Sequence, residues 1–125
     1  MDILIYGNAR EKELLIQHMK SESCMAFRLV QYSHAEDYDA YLKKLRMRKH
    51  DLIFVMVDNA AGMEGVIAAQ NVQPESSIIW FSNDKNFVAQ SYRLGVAYFA
   101  VKPIDEKTVG LALRRSQQRE EMAYE

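Results

Sequence analysis

The stretch DLIFVMV (51–57) decides the fold, because every residue after the first is apolar and several are β-branched or aromatic. SIIWFS (77–82) has the same character. Runs of this kind are typical of strands that helices cover on both faces of a sheet. Outward from these two, the chain holds three more runs of strand length. They are DILIY (2–6), AFRLVQY (26–32) and AYFAV (97–101). The run 26–32 carries charged and polar residues that suit an edge strand.

Longer amphipathic stretches separate these runs and carry helix start signals. Asn8 followed by Glu11 predicts the start of the first helix, and Ser33 to Glu36 predicts the start of the second. Asp84 and Asp105 are suitable N-caps for the fourth and fifth helices. Strands and helices therefore alternate five times along the chain.

Repeated strand-helix units produce parallel strands with right-handed crossovers, so helices cover both faces of the sheet. Five units predict an α/β fold, namely a flavodoxin-like, doubly wound, five-stranded parallel sheet of order 2-1-3-4-5. In such sheets the functional crevice lies at the carboxyl ends of the strands. We expect one domain over residues 1–125, with a polar tail or the start of a linker from about residue 116.

Composition excludes several classes of protein. The chain is 49% hydrophobic, and 16 Lys+Arg against 17 Asp+Glu give a net charge of −1, which argues against direct nucleic-acid binding. Its apolar runs are too short to span a membrane, and no cationic segment precedes the first run. The single cysteine cannot form an internal disulfide, and three histidines on different elements predict no metal site. We expect a cytoplasmic protein.

Two segments resemble a known family. Residues 92–105 (YRLGVAYFAVKPID) are similar to the end of a CheY-like response-regulator receiver domain, with the pattern F-x-x-G-A-x-x-Y-L-x-K-P. Residues 51–65 (DLIFVMVDNAAGMEG) resemble the pattern D-L-I-x-x-D-x-x-M-P-x-M-D-G. The resemblance spans the chain, and Lys102-Pro103 is its most specific part. A weaker resemblance links residues 102–113 to receivers that precede LytTR-type DNA-binding domains.

The resemblance implies phosphoryl transfer to an aspartate at the end of the third strand, with two acidic residues after the first strand helping to hold Mg²⁺. It makes Lys102 and Ser82 the phosphate-binding residues and Phe99 the switch aromatic. Pro103 is the proline whose cis bond aims the lysine inward.

This sequence departs from the pattern at the acidic residues. Gly7 and Asn8 follow the first strand and offer no carboxylate to Mg²⁺. The expected acceptor position falls on Met56 or Val57, depending on the direction of counting, whereas the nearest aspartate is Asp58. We therefore predict a pseudo-receiver, with no cofactor, that keeps the fold and the partner surface of a receiver. The alternative is a phospho-accepting receiver that uses Asp58 and Mg²⁺.

Each candidate residue also has a structural interpretation. Asp58 could cap the third helix, or pair with Lys102 and tie the third strand to the fifth. Ser82 could be a turn residue, and Phe99 could be fixed core. A flavin or nucleotide binder of the same fold is a distant alternative, because GNAREKE (7–13) lacks a phosphate-cradling loop. The sequence also lacks a nucleophile motif such as G-x-S-x-G, so we expect no enzyme.

Protein contact is the expected output. We predict a protein partner or an effector domain, or a homodimer, on the face formed by the fourth helix, fifth strand and fifth helix. Tyr92, Tyr98, Phe99 and Leu111 are the candidate apolar anchors of that face. Transcription regulation through a separate effector domain is a further expectation. A basic cluster within residues 43–49 suits the end of the second helix and could also receive an acidic partner.

Overall fold

The computed structural model describes residues 1–26 and 28–123 as a parallel sheet flanked by helices. The strands are β1 (Asp2–Tyr6), β2 (Gln31–Ala35), β3 (Leu52–Val55), β4 (Ser77–Ser82) and β5 (Tyr98–Val101). The helices are α1 (Ala9–Lys20), α2 (Tyr38–Met47), α3 (Asn59–Val72), α4 (Val88–Leu94) and α5 (Glu106–Ala123). Two short 3₁₀ turns lie at Ser23–Met25 and Lys85–Phe87. No helix within these described residues is long and apolar enough to span a membrane.

The sheet has the order β2-β1-β3-β4-β5, and all four neighbouring pairs are parallel. This confirms the predicted fold class. Every residue of β3 and β4 is buried, as the continuous apolar runs predicted. The register sets Ile53 opposite Ile78, and Trp80 opposite Phe99.

Side chains of the central strands alternate between two apolar layers. Ile3, Phe54 and Phe81 belong to the layer that contains buried residues of α1 and α5, including Leu15 and Val109. The opposite layer joins the sheet to α2 and α3. Its members include Leu4, Tyr6, Tyr41, Ile53, Val55, Val66 and Trp80. Both faces of the sheet are therefore closed, and polar chemistry is confined to the strand ends.

The second strand is not where the sequence predicted it. Residues 28–30 precede it as irregular structure, and Leu29 is 92% exposed. The strand is Gln31–Ala35, and it lies at the sheet edge as expected, with Gln31 opposite Asp2. The search for apolar runs misplaced the second strand, because an edge strand has only one strand neighbour and tolerates polar side chains such as Ser33 and His34.

Two helix boundaries also differ from prediction. The capping box from Ser33 to Glu36 does not form, because those residues lie in or directly after β2. Asp37 caps α2 instead, and its carboxylate accepts a hydrogen bond from Ala40 N at 2.8 Å. Asp84 caps the 3₁₀ turn Lys85–Phe87 and not α4, because its carboxylate accepts a hydrogen bond from Asn86 N at 2.8 Å and α4 begins only at Val88. The polar run from about residue 116 lies in α5, which extends to Ala123, and Ser116 is buried.

A buried polar cluster holds the amino ends of the central strands. The Gln73 side chain donates to the carbonyls of Leu45 (2.8 Å) and Arg48 (2.7 Å). Its oxygen accepts from the backbone N–H of His50 (2.8 Å) and from the Ser76 hydroxyl (2.9 Å). One side chain thus joins the end of α2, the start of β3 and the loop before β4, and satisfies backbone groups that water does not reach.

His50 belongs to this cluster and is 1% exposed, with its Nδ1 lying 3.2 Å from the Gln73 amide nitrogen. Burial lowers the pKa of His50, because the low-dielectric interior disfavours the imidazolium; the Gln73 hydrogen bond and the charge of Asp2 oppose this shift without cancelling it.

We therefore expect the free energy of unfolding to fall as the pH drops below about 6.5, the ordinary pKa of histidine in an unfolded chain. Between that value and the lower folded pKa, the unfolded chain binds the proton and the folded chain does not. The slope cannot exceed about 1.4 kcal/mol per pH unit, the limit for one proton. Urea unfolding of the wild type and of His50→Asn, between neutral pH and the onset of carboxylate titration, measures it. Parallel wild-type and His50→Asn curves would contradict the assignment.

Candidate functional site

Lys102 is the centre of the polar site at the carboxyl edge of the sheet. It follows β5 directly, and its peptide bond to Pro103 is cis, as the resemblance implied. The ammonium nitrogen donates to Met56 O at 2.7 Å and to Glu11 Oε1 at 2.8 Å. The second Glu11 oxygen is also 2.8 Å away, and so is Asp58 Oδ1. The Lys102 side chain is 14% exposed, so these contacts replace most of its water.

Glu11 reaches Lys102 because Asn8 fixes the first turn of α1. The Asn8 oxygen accepts from Glu11 N at 2.8 Å, which is the N-cap that the sequence predicted. The Asn8 amide also donates to Glu11 Oε1 at 2.7 Å and holds the carboxylate over the sheet edge. A charge-assisted hydrogen bond in this partly buried position is stronger than an exposed one.

Glu11 is the functional residue that the sequence analysis missed. The sequence pattern assigns Glu11 only to the start of the first helix. The position of Glu11 in the chain could have predicted this contact. The first turn of α1 and the residue after β5 lie at the same edge of a parallel sheet. A carboxylate and an ammonium at that edge are candidates for a pair.

Asp58 lies three residues past the end of β3, at the N-cap position of α3. Its carboxylate makes no capping hydrogen bond. The side chain is 42% exposed and faces Lys102, as the structural interpretation predicted. Oδ1 forms no hydrogen bond of acceptable geometry despite its short distance to Nζ, so the contact is an ion pair rather than a directed bond.

The two positions that the family pattern would give to an acceptor are apolar. Met56 is 1% exposed and packs in the α1 and α5 layer, whereas Val57 packs against the opposite layer. Asp58 therefore takes its place in the site from the loop and not from the strand. Neither count along the sequence finds it, because Asp58 lies in the loop beyond the last residue of β3.

The residues after β1 do not fit Mg²⁺. Gly7 has no side chain, and a Cβ built there would lie 3.1 Å from the Cβ of Met56. Asn8 is engaged by Glu11. The carboxylates of Glu11 and Asp58 both face the ammonium of Lys102, which a divalent cation would have to displace. Among residues 1–26 and 28–123, no group of three His, Cys, Asp or Glu side chains could hold a metal ion.

Ser82 ends β4 and is fully buried. Its hydroxyl oxygen accepts a hydrogen bond from Asp84 N at 3.1 Å, which is the turn geometry that the structural interpretation predicted. Its carbonyl accepts from Lys102 N at 2.8 Å and so positions the lysine. In this arrangement the Ser82 hydroxyl stabilises the turn that leads towards α4.

Comparison with solved structures supports this architecture, although two comparisons of the sequence find no match. No protein-family model matches the sequence, and a search of curated proteins finds no match. Among solved structures, a CpaE2 pilus assembly protein from Sinorhizobium meliloti 1021 aligns with a TM-score of 0.74 at 17% identity, over 93% of this chain and 99% of that one. The response regulatory domain of mrkE from Klebsiella pneumoniae aligns with a TM-score of 0.74 at 20% identity, over 98% and 99%.

A response regulator from Burkholderia pseudomallei that carries a phosphorylated aspartic acid aligns with a TM-score of 0.67 at 18% identity, over 98% of this chain and 73% of that one. The chain has the CheY-like receiver fold. At these identities the likeness establishes the fold, while the chemistry of the receiver site has to be judged from its residues.

Phe99 occupies the switch position of the receiver pattern. Its ring meets Trp80 edge-on, with centroids 5.1 Å apart. Trp80 is fully buried, and Phe87 contacts its other side at 5.4 Å. Gly62 leaves room for the indole, since a Cβ there would lie 3.0 Å from Trp80 Nε1. Phe99 is half-buried and packs against the core, as the fixed-core interpretation predicted.

The four predicted anchors of the receiver's partner face differ in exposure. Tyr92 is 90% exposed, whereas Tyr98, Phe99 and Leu111 are half-buried. Tyr98 packs against the layer under α1 and α5, on the other face of the sheet from Phe99. Tyr92 is therefore the most exposed of the four, and alternation along β5 directs the Tyr98 and Phe99 rings to opposite faces of the sheet.

We expect Lys102 to couple more strongly to Glu11 than to Asp58, because Glu11 is less exposed and contributes both oxygens. A double-mutant cycle with Lys102→Met and Glu11→Gln should give about 1–2 kcal/mol of coupling by urea unfolding. The same cycle with Asp58→Asn should give under about 1 kcal/mol.

The exposed pair Lys49–Glu75 is the matched control, with side chains 69% and 79% exposed. The cycle of Lys49→Met with Glu75→Gln should give a coupling below about 0.5 kcal/mol. Zero coupling between Lys102 and Glu11 would refute the geometry described above.

Proposed function

We propose that this chain is a pseudo-receiver, a cytoplasmic signalling module of two-component type that works by protein contact and without a phosphoryl group. It is not an enzyme in this proposal and needs no cofactor. Its output goes to a partner protein or to an effector domain, of which a transcription-regulating domain is one form.

This proposal rests on the hydrogen bonds that the Lys102 ammonium already makes within the protein. A receiver lysine that binds a phosphoryl group must have donors to offer, whereas the donors of Lys102 are directed at Glu11 and at the Met56 carbonyl. Two carboxylates surround one ammonium, so the described side chains at this point sum to a charge of −1. A phosphoryl dianion would meet net repulsion there, with no Mg²⁺ ligands after β1 to offset it.

Acetyl phosphate with Mg²⁺ tests the proposal directly. Intact-mass spectrometry should show no phosphoryl adduct on the wild type, while a phospho-accepting receiver in the same assay is labelled. We expect Gly7→Asp with Asn8→Asp to stay unlabelled as well, because a side chain introduced in place of Gly7 would crowd Met56. Circular dichroism must first show that this variant is folded. Stoichiometric labelling of the wild type that Asp58→Asn abolishes would refute the proposal.

A phospho-accepting receiver that uses Asp58 is the second candidate. Its support is that Asp58 lies beside Lys102 at the carboxyl edge and is 42% exposed. Labelling of Asp58 only in the Gly7→Asp, Asn8→Asp variant would show that Asp58 occupies the acceptor position and that the metal site alone has been lost.

The contact surface in this proposal is formed by α4 and the open edge of β5. Val88 and Tyr92 lie one turn apart on α4 and are 59% and 90% exposed. Val101, at the end of β5, is 42% exposed. A cleft of about 520 Å³ lies between these elements, and Phe99 contributes to its wall. Exposed aromatic and aliphatic side chains around a cleft are typical anchors of protein interfaces.

We expect the isolated chain to form a homodimer through this surface, and Tyr92→Glu to shift it to monomer, because the substitution would bury a charge in the contact. Sedimentation velocity over a concentration series measures the shift. Leu29→Glu is the control, since Leu29 is 92% exposed and precedes β2 at the opposite edge of the sheet. A wild-type monomer at every concentration would contradict the homodimer and leave a different protein as the partner.

A further inference from the structure

A second cleft lies at the amino edge of the sheet, opposite the Lys102 site. It separates the end of α2 from the loop that joins α3 to β4, and its volume is about 480 Å³. Leu45, Val72 and Pro74 provide its apolar surface. Leu45 is 2% exposed and belongs to the core, whereas Val72 is 37% exposed. An apolar side chain of modest size could bury itself against these residues.

The rim of this cleft is basic. Arg46, Arg48 and Lys49 line it, against one carboxylate, that of Glu75. The helix macrodipole accounts for cations in the last turn of α2, but this helix ends at Met47, so Arg48 and Lys49 lie beyond it. Stabilisation of α2 therefore explains only part of the cluster.

The cations on the rim differ in how they are paired. Arg46 has no ion-pair partner among the described residues. Arg48 pairs with Asp2 at 3.0 Å and Lys49 with Glu75 at 2.7 Å. The Lys49–Glu75 pair is solvent-exposed, whereas Asp2 in the other pair is half-buried. Exposed pairs contribute about 1 kcal/mol or less, so a carboxylate of a ligand can join or replace Glu75 at little cost.

The two walls of the cleft are fixed relative to each other before any ligand arrives. The Gln73 side chain bridges them from beneath, through the carbonyls of Leu45 and Arg48 on one side and its own backbone on the other. His50 and Ser76 complete this buried cluster. A pre-formed cleft loses less conformational entropy on binding than a mobile surface does.

We propose that this cleft binds an acidic peptide segment of a partner protein, with an apolar side chain on the Leu45–Val72 surface and carboxylates against Arg46 and Lys49. Charge complementarity favours this ligand, because a net positive rim surrounds an apolar floor. The concave shape and the Glu75 carboxylate disfavour a flat anionic membrane. The absence of aromatic residues from the described lining disfavours stacking of single-stranded nucleic acid.

Fluorescence anisotropy with a fluorescein-labelled EELLEE peptide tests the proposal on the full chain. We expect saturable binding that weakens as salt is added, and no binding of the charge-reversed KKLLKK peptide. Arg46→Glu with Lys49→Glu should weaken binding by at least about tenfold. The matched control is Lys20→Glu with Lys107→Glu, which makes the same charge change at positions outside the cleft and should stay within about twofold. Val72→Asn tests the apolar floor and should also weaken binding.

Three results would overturn the proposal. They are no saturable binding of EELLEE, an equal loss in the control variant, and binding of phosphatidylglycerol vesicles by a chain that does not bind EELLEE. Circular dichroism establishes that each variant is folded. Because the cleft and Lys102 lie at opposite edges of the sheet, none of these results depends on whether Asp58 accepts a phosphoryl group.

Discussion

The ammonium group of Lys102 is the charge on which the carboxyl edge of this structure depends. A cation that is 14% exposed must be compensated by nearby anions, since partial burial removes most of its hydration. Glu11 from α1, the Met56 carbonyl and Asp58 before α3 supply that compensation. The same contacts join α1, the connection between β3 and α3, and the segment after β5, which are distant from one another in sequence. In this chain the lysine serves as a structural tie, which is why we infer signalling through contact and not through phosphoryl transfer.

The amino edge is built on a comparable principle with neutral groups. Gln73 satisfies backbone groups of α2 and of the segment before β3, and burial lowers the pKa of His50 beside it. Between the two edges the sheet is apolar, so each edge is free to acquire its own surface chemistry. At one edge Lys102 is paired with Glu11 and Asp58, and the other edge carries a basic cleft. The fold is shared with phosphorylated regulators, but these edges are this chain's own.

Local sequence was sufficient for much of the fold. The continuous apolar runs predicted β3 and β4 because a strand that is buried on both faces has little choice of residue. The alternation of strands and helices predicted the parallel order, since right-handed crossovers leave few topologies. Asn8 and Asp105 were predicted as caps because capping is decided within four residues.

Tertiary structure decided the features that depend on distant neighbours. The position of β2 follows from its pairing with β1, since an edge strand carries little apolar signal of its own. The partnership of Glu11 with Lys102 spans 91 residues and exists only because a parallel sheet brings all carboxyl ends to one edge. Tyr98 and Phe99 separate because the pleat directs them to opposite faces. By itself the sequence determined the parallel sheet and the residue types at its edges. Which of those residues meet, and so what the lysine is free to do, was decided by the packing of elements far apart in the chain.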